Sequence, residues 1–127
     1  MHEVSTSILN AEKGKEAEVI LGLEKSRTDY IHIDVMDGKF VEKNTYQKML
    51  ELASYTRRIS NIPLDIHLMV EDVETAINVF SAVDANIITF HLEACKDEKQ
   101  VFDFINMIKD NHSRVGIALK PNTDIEK

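Results

Sequence analysis

YIHIDV at residues 30–35 and LDIHLM at residues 64–69 decide the fold. In the first run Ile31, Ile33 and Val35 alternate with His32 and Asp34; in the second Leu64, Ile66 and Leu68 alternate with Asp65, His67 and Met69. A period of two describes a strand with two unlike faces. Three more apolar runs rich in Ile, Val and Leu stand at 4–9 (VSTSIL), 86–91 (NIITFH) and 115–119 (VGIAL). In 86–91 the residues Ile88, Phe90 and then Leu92 oppose Thr89 and His91.

Between these runs the period changes to that of a helix. Tyr46, Met49, Leu50 and Ala53, then Val73, Ala76, Ile77 and Phe80, then Val101, Phe104, Ile105 and Ile108 each form an i, i+3, i+4, i+7 stripe. The stretch from Glu12 to Lys25 keeps Ala17, Ile20 and Leu21 on such a stripe despite Gly14 and Gly22. Asp97 and Gln100 have the spacing of a helix cap. Asp37-Gly38 and Lys120-Pro121-Asn122-Thr123 read as turns after the second and fifth strands. Successive strands start 22 to 34 residues apart, one βα unit each, so the chain is an α/β protein with a parallel sheet. No linker or low-complexity stretch divides residues 1–127, which are read as one domain.

With 127 residues the chain can bury roughly two thirds of its unfolded surface and needs no staple. Cys95 is its only cysteine, which excludes a disulfide framework within the chain. The formal net charge of −7 and the lack of basic runs argue against a nucleic-acid surface. No apolar run approaches the roughly 18 residues of a membrane span, and no secretory leader is legible, so a cytoplasmic protein is expected. Its four glycines are too scattered to form a phosphate-cradling loop.

A parallel strand covered on both faces is expected to be apolar throughout, so polar residues in register within such strands need a reason. If the Ile/Val/Leu face meets the helices, His32, Asp34, His67 and His91 point into the sheet interior. His32 and Asp34 then share one side of their strand, and His67 on the neighbouring strand can reach the same ion, a donor set suited to Zn²⁺, Fe²⁺, Mn²⁺ or Co²⁺. The other reading of the spacing is a set of buried, hydrogen-bonded histidines around a paired carboxylate. Met36 and Met69 lie at the ends of the same strands, as pocket lining or as core filler. Cys95 reads as an inert, partly buried thiol, His2 and His112 as exposed, and Glu71, Asp72 and Glu74 as charge at a helix N-terminus.

SILNA (7–11), IHIDVMDGKFVEKN (31–44), PLDIHLMVEDVETAI (63–77), ITFHLEA (88–94) and VGIALKPNT (115–123) together resemble, in order and interval, the ribulose-phosphate 3-epimerase family. The resemblance implies a (β/α)8 barrel and the inversion of carbon 3 that joins D-ribulose 5-phosphate to D-xylulose 5-phosphate in the pentose phosphate pathway. It also implies that His32, Asp34 and His67 are three of four ligands to one divalent metal ion, and that Asp34 is one of two proton-transferring carboxylates. By the same resemblance Ser7 touches the substrate, a ketose phosphate, and Met36 and Met69 line the reaction centre. His91 and Glu93 belong to the fourth-strand signature and receive no chemical role.

The chain departs from the family pattern where Thr6, Glu42 and Val73 stand in place of proline and Asn10 in place of serine. A full barrel takes about 200 to 250 residues, and five strands leave the second aspartate and the phosphate loops unaccounted for. The expectation is therefore a partial barrel, lacking the C-terminal βα units, whose open edges and inner residues such as Ile8, Met69 and Ile87 favour a homo-oligomer or a partner chain. An inactive half-barrel that keeps the ligand trio, and an epimerase of a hexulose phosphate such as allulose 6-phosphate, are the alternatives.

Overall fold

The computed structural model describes residues 5–7, 20, 22 and 30–119. Five parallel strands lie side by side in chain order: β1 (Ser5–Ser7), β2 (Tyr30–Met36), β3 (Leu64–Met69), β4 (Ile87–His91) and β5 (Arg114–Ala118). Helix α1 (Tyr46–Ile59) joins β2 to β3, and α2 (Val73–Ser81) joins β3 to β4. A 3-10 turn (Leu92–Ala94) and α3 (Glu98–Asp110) join β4 to β5. This is the βα array read from the sequence, with strand limits moved by one residue at several ends. Leu92, grouped above with the apolar face of the fourth strand, lies instead in the 3-10 turn and is half-buried. Most of the helix expected over 12–25 and the turn expected at Lys120–Thr123 fall outside the described residues; Ile20, which is described, is helical and fully buried.

The two faces divide as the alternation requires. Ile31, Ile33, Val35, Leu64, Ile66, Leu68, Ile88 and Phe90 are fully buried against the helices, where they meet Met49, Ala53, Ala76, Ile77, Phe80 and Ile108. A one-residue slip of β2 and β3 would turn six of these side chains to the other face. Each fully buried aliphatic side chain contributes roughly 1.5–3 kcal/mol, so the slip costs on the order of 10 kcal/mol, comparable to the whole stability of such a domain. Hydrophobic burial thus fixes the register, and the register fixes what faces inward.

Across the inner face the strands form rows. His32 pairs with Asp65, Asp34 with His67, and Met36 with Met69; His67 continues to Thr89 and Thr89 to Gly116. At the N-terminal end of the same face the Arg114 guanidinium donates to the Tyr30 hydroxyl at 3.4 Å. Strands β2 and β5 would stand about 14 Å apart in a flat sheet, so this contact marks a sheet curled around its His/Asp face.

Helix starts follow local chemistry. Asp72 caps α2 by accepting from the Thr75 amide at 3.1 Å, which holds the helix start where Val73 replaces proline. Asp97 caps α3 through the Gln100 amide at 2.9 Å, and the Gln100 side chain reaches back to the Lys96 amide at 2.7 Å. Thr45, the residue before α1, makes no such cap because its hydroxyl is spent on β2.

Gly116 shows how tightly the inner rows are filled. A Cβ at this position would overlap Thr89 Oγ1 and lie 3.1 Å from Thr89 Cβ. Gly116→Ala is therefore expected to lower unfolding free energy by about 1–3 kcal/mol in urea denaturation, and Thr89→Ala in the same chain to recover most of that loss. An alanine variant as stable as the parent would show that the row has room to spare.

Candidate metal centre

The inner face gathers its polar residues into one connected cluster. Asp34 Oδ1 stands 2.7 Å from His32 Nε2 and 3.4 Å from His67 Nδ1. One donor atom from each of His32, Asp34 and His67 lies within 4.8 Å of the other two. The side chains are 26%, 18% and 23% exposed, open enough for a ligand to reach them and closed enough to strengthen their electrostatics. Both arms of the arrangement come from strand geometry: a two-residue step brings His32 and Asp34 to one side of β2, and parallel pairing sets His67 beside Asp34.

Each imidazole is also held from behind. His32 Nδ1 faces Asp65 Oδ2 at 3.0 Å. The hydrogen bond to Asp34, and after it the one to Asp65, outweigh the effect of burial and push His32 up to about 10. Hydrogen bonds from His32 and His67 hold the Asp34 carboxyl well below the usual carboxylate range. In the metal-free chain a proton on His32 thus supplies the positive charge that the two carboxylates call for. On the far side, His67 Nε2 lies 2.8 Å from His91 Nε2, and His91 Nδ1 lies 3.3 Å from Glu93 Oε1.

The connection between β2 and α1 braces this cluster. Thr45, nearly fully buried, donates its hydroxyl to the Asp34 carbonyl at 2.9 Å and accepts from the Met36 amide at 3.1 Å. Asp37 Oδ1 accepts from the amides of Lys39 and Phe40, both at 2.8 Å, and its Oδ2 accepts from the Glu71 amide at 2.8 Å. Gly38 turns with φ +78°, as the Asp-Gly pair implied. Phe40 is carried over the cluster and its ring rests 5.3 Å from that of His91.

Of the residues singled out by sequence, His32, Asp34 and His67 come together, and Met36 and Met69 sit side by side at the C-terminal ends of their strands. The backbone of Ser7 pairs with that of His32, while its side chain lies outside the described residues. Cys95 is half-buried, its thiol pushed up by burial and by the charge of Asp97. His112 is exposed, as expected. Asp65 and Thr45 were not picked out by the sequence reading. Asp65 carried the same signal as His67, being polar on the inner parity of β3, whereas nothing in the sequence marked Thr45, whose role depends on the fold of the loop.

Ligand atoms sharing one Zn²⁺-like ion at about 2.0–2.2 Å stand roughly 3 Å from one another. Two imidazoles and a carboxylate at the separations above fit a first-row divalent ion. A curled parallel sheet with helical crossovers and such a cluster on its inner face defines a partial (β/α) barrel whose inner face could hold a divalent ion. The ribulose-phosphate 3 epimerase family matches residues 3–127, and the chain belongs to that family. It is 36% identical over 126 residues to the ribulose-phosphate 3-epimerase of Bacillus subtilis (strain 168), covering 99% of this chain and 56% of that protein. The Methanocaldococcus jannaschii ribulose-phosphate 3-epimerase is 35% identical over 126 residues, with 99% and 51% covered. Ribulose-phosphate 3-epimerase 1 of Cupriavidus necator is 34% identical over 122 residues, with 96% and 48% covered. The chain spans about half the length of the curated relatives it matches. Among the described residues no helix is long and apolar enough to cross a membrane.

The brace at Asp37 is testable through its charge. Burial works against the carboxylate, but the amides of Glu71, Lys39 and Phe40 together hold it below its ordinary value of 3.8. A group lowered in the folded state adds stability above its unfolded pKa, and that increment is lost as pH falls through the folded value. Asp37→Ala is expected to cost about 1–3 kcal/mol at pH 7 in urea denaturation, and the gap from the parent to shrink below about pH 4. A gap that stays constant down to pH 2.5 would mean the Asp37 charge does not hold the loop.

Proposed function

We propose that this chain carries the metal-holding, proton-transferring half of a ketose-phosphate 3-epimerase site. In this reading His32, Asp34 and His67 hold one divalent ion, of Zn, Fe, Mn or Co, and Asp34 moves the proton at carbon 3 of D-ribulose 5-phosphate. The observation that supports it most is the convergence of the three donors on the inner face of a curled sheet. The cytoplasm is the proposed setting, in keeping with an acidic chain that carries a single cysteine.

The chemistry follows from the groups. The hydrogen on carbon 3 is α to the ketone, so taking it as a proton leaves an enediolate, with the electron pair of the C–H bond delocalised onto the carbonyl oxygen. Asp34, kept ionised by His32 and His67, is available to accept that proton but is a weak base. A bound divalent ion would supply Lewis-acid stabilisation of the developing oxyanion. His32 and His67 fix the carboxylate so that it approaches from one side of the planar carbon. Met36 and Met69, paired in register, offer an apolar wall that keeps water from the same carbon, and Ser7 would meet the substrate from β1. Inversion requires a proton returned from the opposite face, which one carboxylate on one side cannot do.

That requirement, together with a match spanning about half the length of its relatives, favours a second reading. Here the half-site binds metal but turns over only when further βα units, whichever chain supplies them, cover the outer edge of β5, where Ile117 is 49% exposed.

Titration calorimetry with Zn²⁺ and an epimerisation assay on ribulose 5-phosphate separate these outcomes. One tight ion per chain is expected, with affinity falling roughly 10-fold or more in His32→Ala and in His67→Ala. Turnover, where present, should fall about 10²–10⁴-fold in Asp34→Asn. Metal binding without turnover at any chain concentration supports the half-site reading; no metal binding, or turnover indifferent to Asp34→Asn, refutes the assignment.

A further inference from the structure

The end of β2 that carries Asp34 and Met36 is held, on one side, by a residue from outside the sheet. The Ile31 amide bonds to the Pro63 carbonyl at 2.9 Å, so the odd residues of β2 face β3 and the even ones face β1. Among the described residues the pairing with β1 ends at Ser7 and His32, two residues before Asp34. From there Thr45 takes over. Its hydroxyl donates to the Asp34 carbonyl at 2.9 Å and accepts from the Met36 amide at 3.1 Å, while its own amide donates to the Met36 carbonyl at 2.8 Å.

The other side of Thr45 starts α1, where its carbonyl accepts from the Met49 amide at 2.8 Å. A threonine in that place ordinarily turns its hydroxyl to the free amides of the helix, and this one does not. It is 5% exposed, so water is not at hand to replace either hydroxyl bond. Without the hydroxyl, the Asp34 carbonyl and the Met36 amide lose their partner together, and the peptide planes around Asp34 are free to tilt. The carboxylate they carry stands 2.7 and 3.4 Å from two imidazoles, a range in which a few tenths of an ångström decide whether a contact is made.

We propose that Thr45 is a positioning residue: acting through the main chain of Asp34 and Met36, it sets the Asp34 carboxylate against His32 and His67 and couples loop 37–44 to the site. Its effect on a bound ion rests on the cation site proposed above; the placing of the carboxylate does not. A hydroxyl that only added stability would behave as Thr56 does. Thr56 is fully buried too, but its hydroxyl donates to the Leu52 carbonyl at 2.7 Å, wholly within α1.

The test compares the parent with Thr45→Val, Thr45→Ser and Thr56→Val at one fixed pH. Imidazole Cε1–H signals of the metal-free chains, urea denaturation and Co²⁺ titration are the readouts. Both valine variants should lower the urea midpoint. Only Thr45→Val should also move the His32 and His67 signals and weaken Co²⁺ about 10- to 100-fold, the range in which lost outer partners of metal ligands fall. Thr45→Ser, which keeps the hydroxyl, should return both readouts to the parent. Unmoved His32 and His67 signals in a folded Thr45→Val, or equal movement in Thr56→Val, overturn the proposal. If Thr45→Val does not fold, the parent decides: its Thr45 hydroxyl proton, seen through a cross-peak to the Met36 amide, should shift on adding Zn²⁺ while that of Thr56 stays. A Thr45 proton that is absent or unmoved overturns the proposal in that case. A parent that binds neither ion overturns the cation-site reading instead, and the imidazole signals still decide the positioning role.

Discussion

The parallel pairing of Asp34 with His67 is the constraint on which the rest of the structure depends. It is not set by those two residues. Ile31, Ile33, Val35, Leu64, Ile66 and Leu68 set it, because only one register buries all six against the helices. The interaction between a carboxylate and two imidazoles is worth far less than that burial. Packing therefore decides where the polar atoms stand.

A face bearing three histidines and three carboxylates would be a liability inside a protein if left unpaired. Here each side chain answers the next: Asp65 to His32, His32 to Asp34, Asp34 to His67, His67 to His91, His91 to Glu93. Both ends of this chain of contacts are carboxylates and a third lies between His32 and His67, so His32, flanked by Asp34 and Asp65, sits in a field that favours positive charge. The rise of His32 to about 10 and the lowering of Asp34 are two views of that field.

The strands, helices α1 to α3 and the inward direction of His32, Asp34, His67 and His91 were legible because they rest on periods of two and of 3.6, which survive in a single sequence. The pairing of partners was less legible. Asp65 lay on the inner parity of LDIHLM as plainly as His67, yet only register shows that it backs His32 and not Asp34. Thr45 was invisible, since a threonine before a helix normally reads as a cap, and its turn towards the Asp34 carbonyl depends on a loop tied down at Asp37 and Glu71. The stacking of His91 on His67 could not be read either. It needs the distance to His67 across a strand pair and the stacking of the two rings, neither of which has a sequence period.

A stretch spanning about half the length of the relatives it matches can present this cluster because the cluster is local. Every contact in it is made within β2, β3, β4 or the turn that follows, and those strands adjoin one another in sequence order. Nothing on β1 or at the outer edge of β5 is needed to bring His32, Asp34 and His67 within reach of one ion. Inversion at carbon 3 is different in kind, since it needs acid on two opposite faces of a planar carbon, and a sheet curled through five strands offers its carboxylates from one. On the proposed reading metal holding and epimerisation are therefore separable: the first would be a property of neighbouring strands, the second of a closed barrel. The exposed Ile117 lies on β5, the last strand of the described sheet.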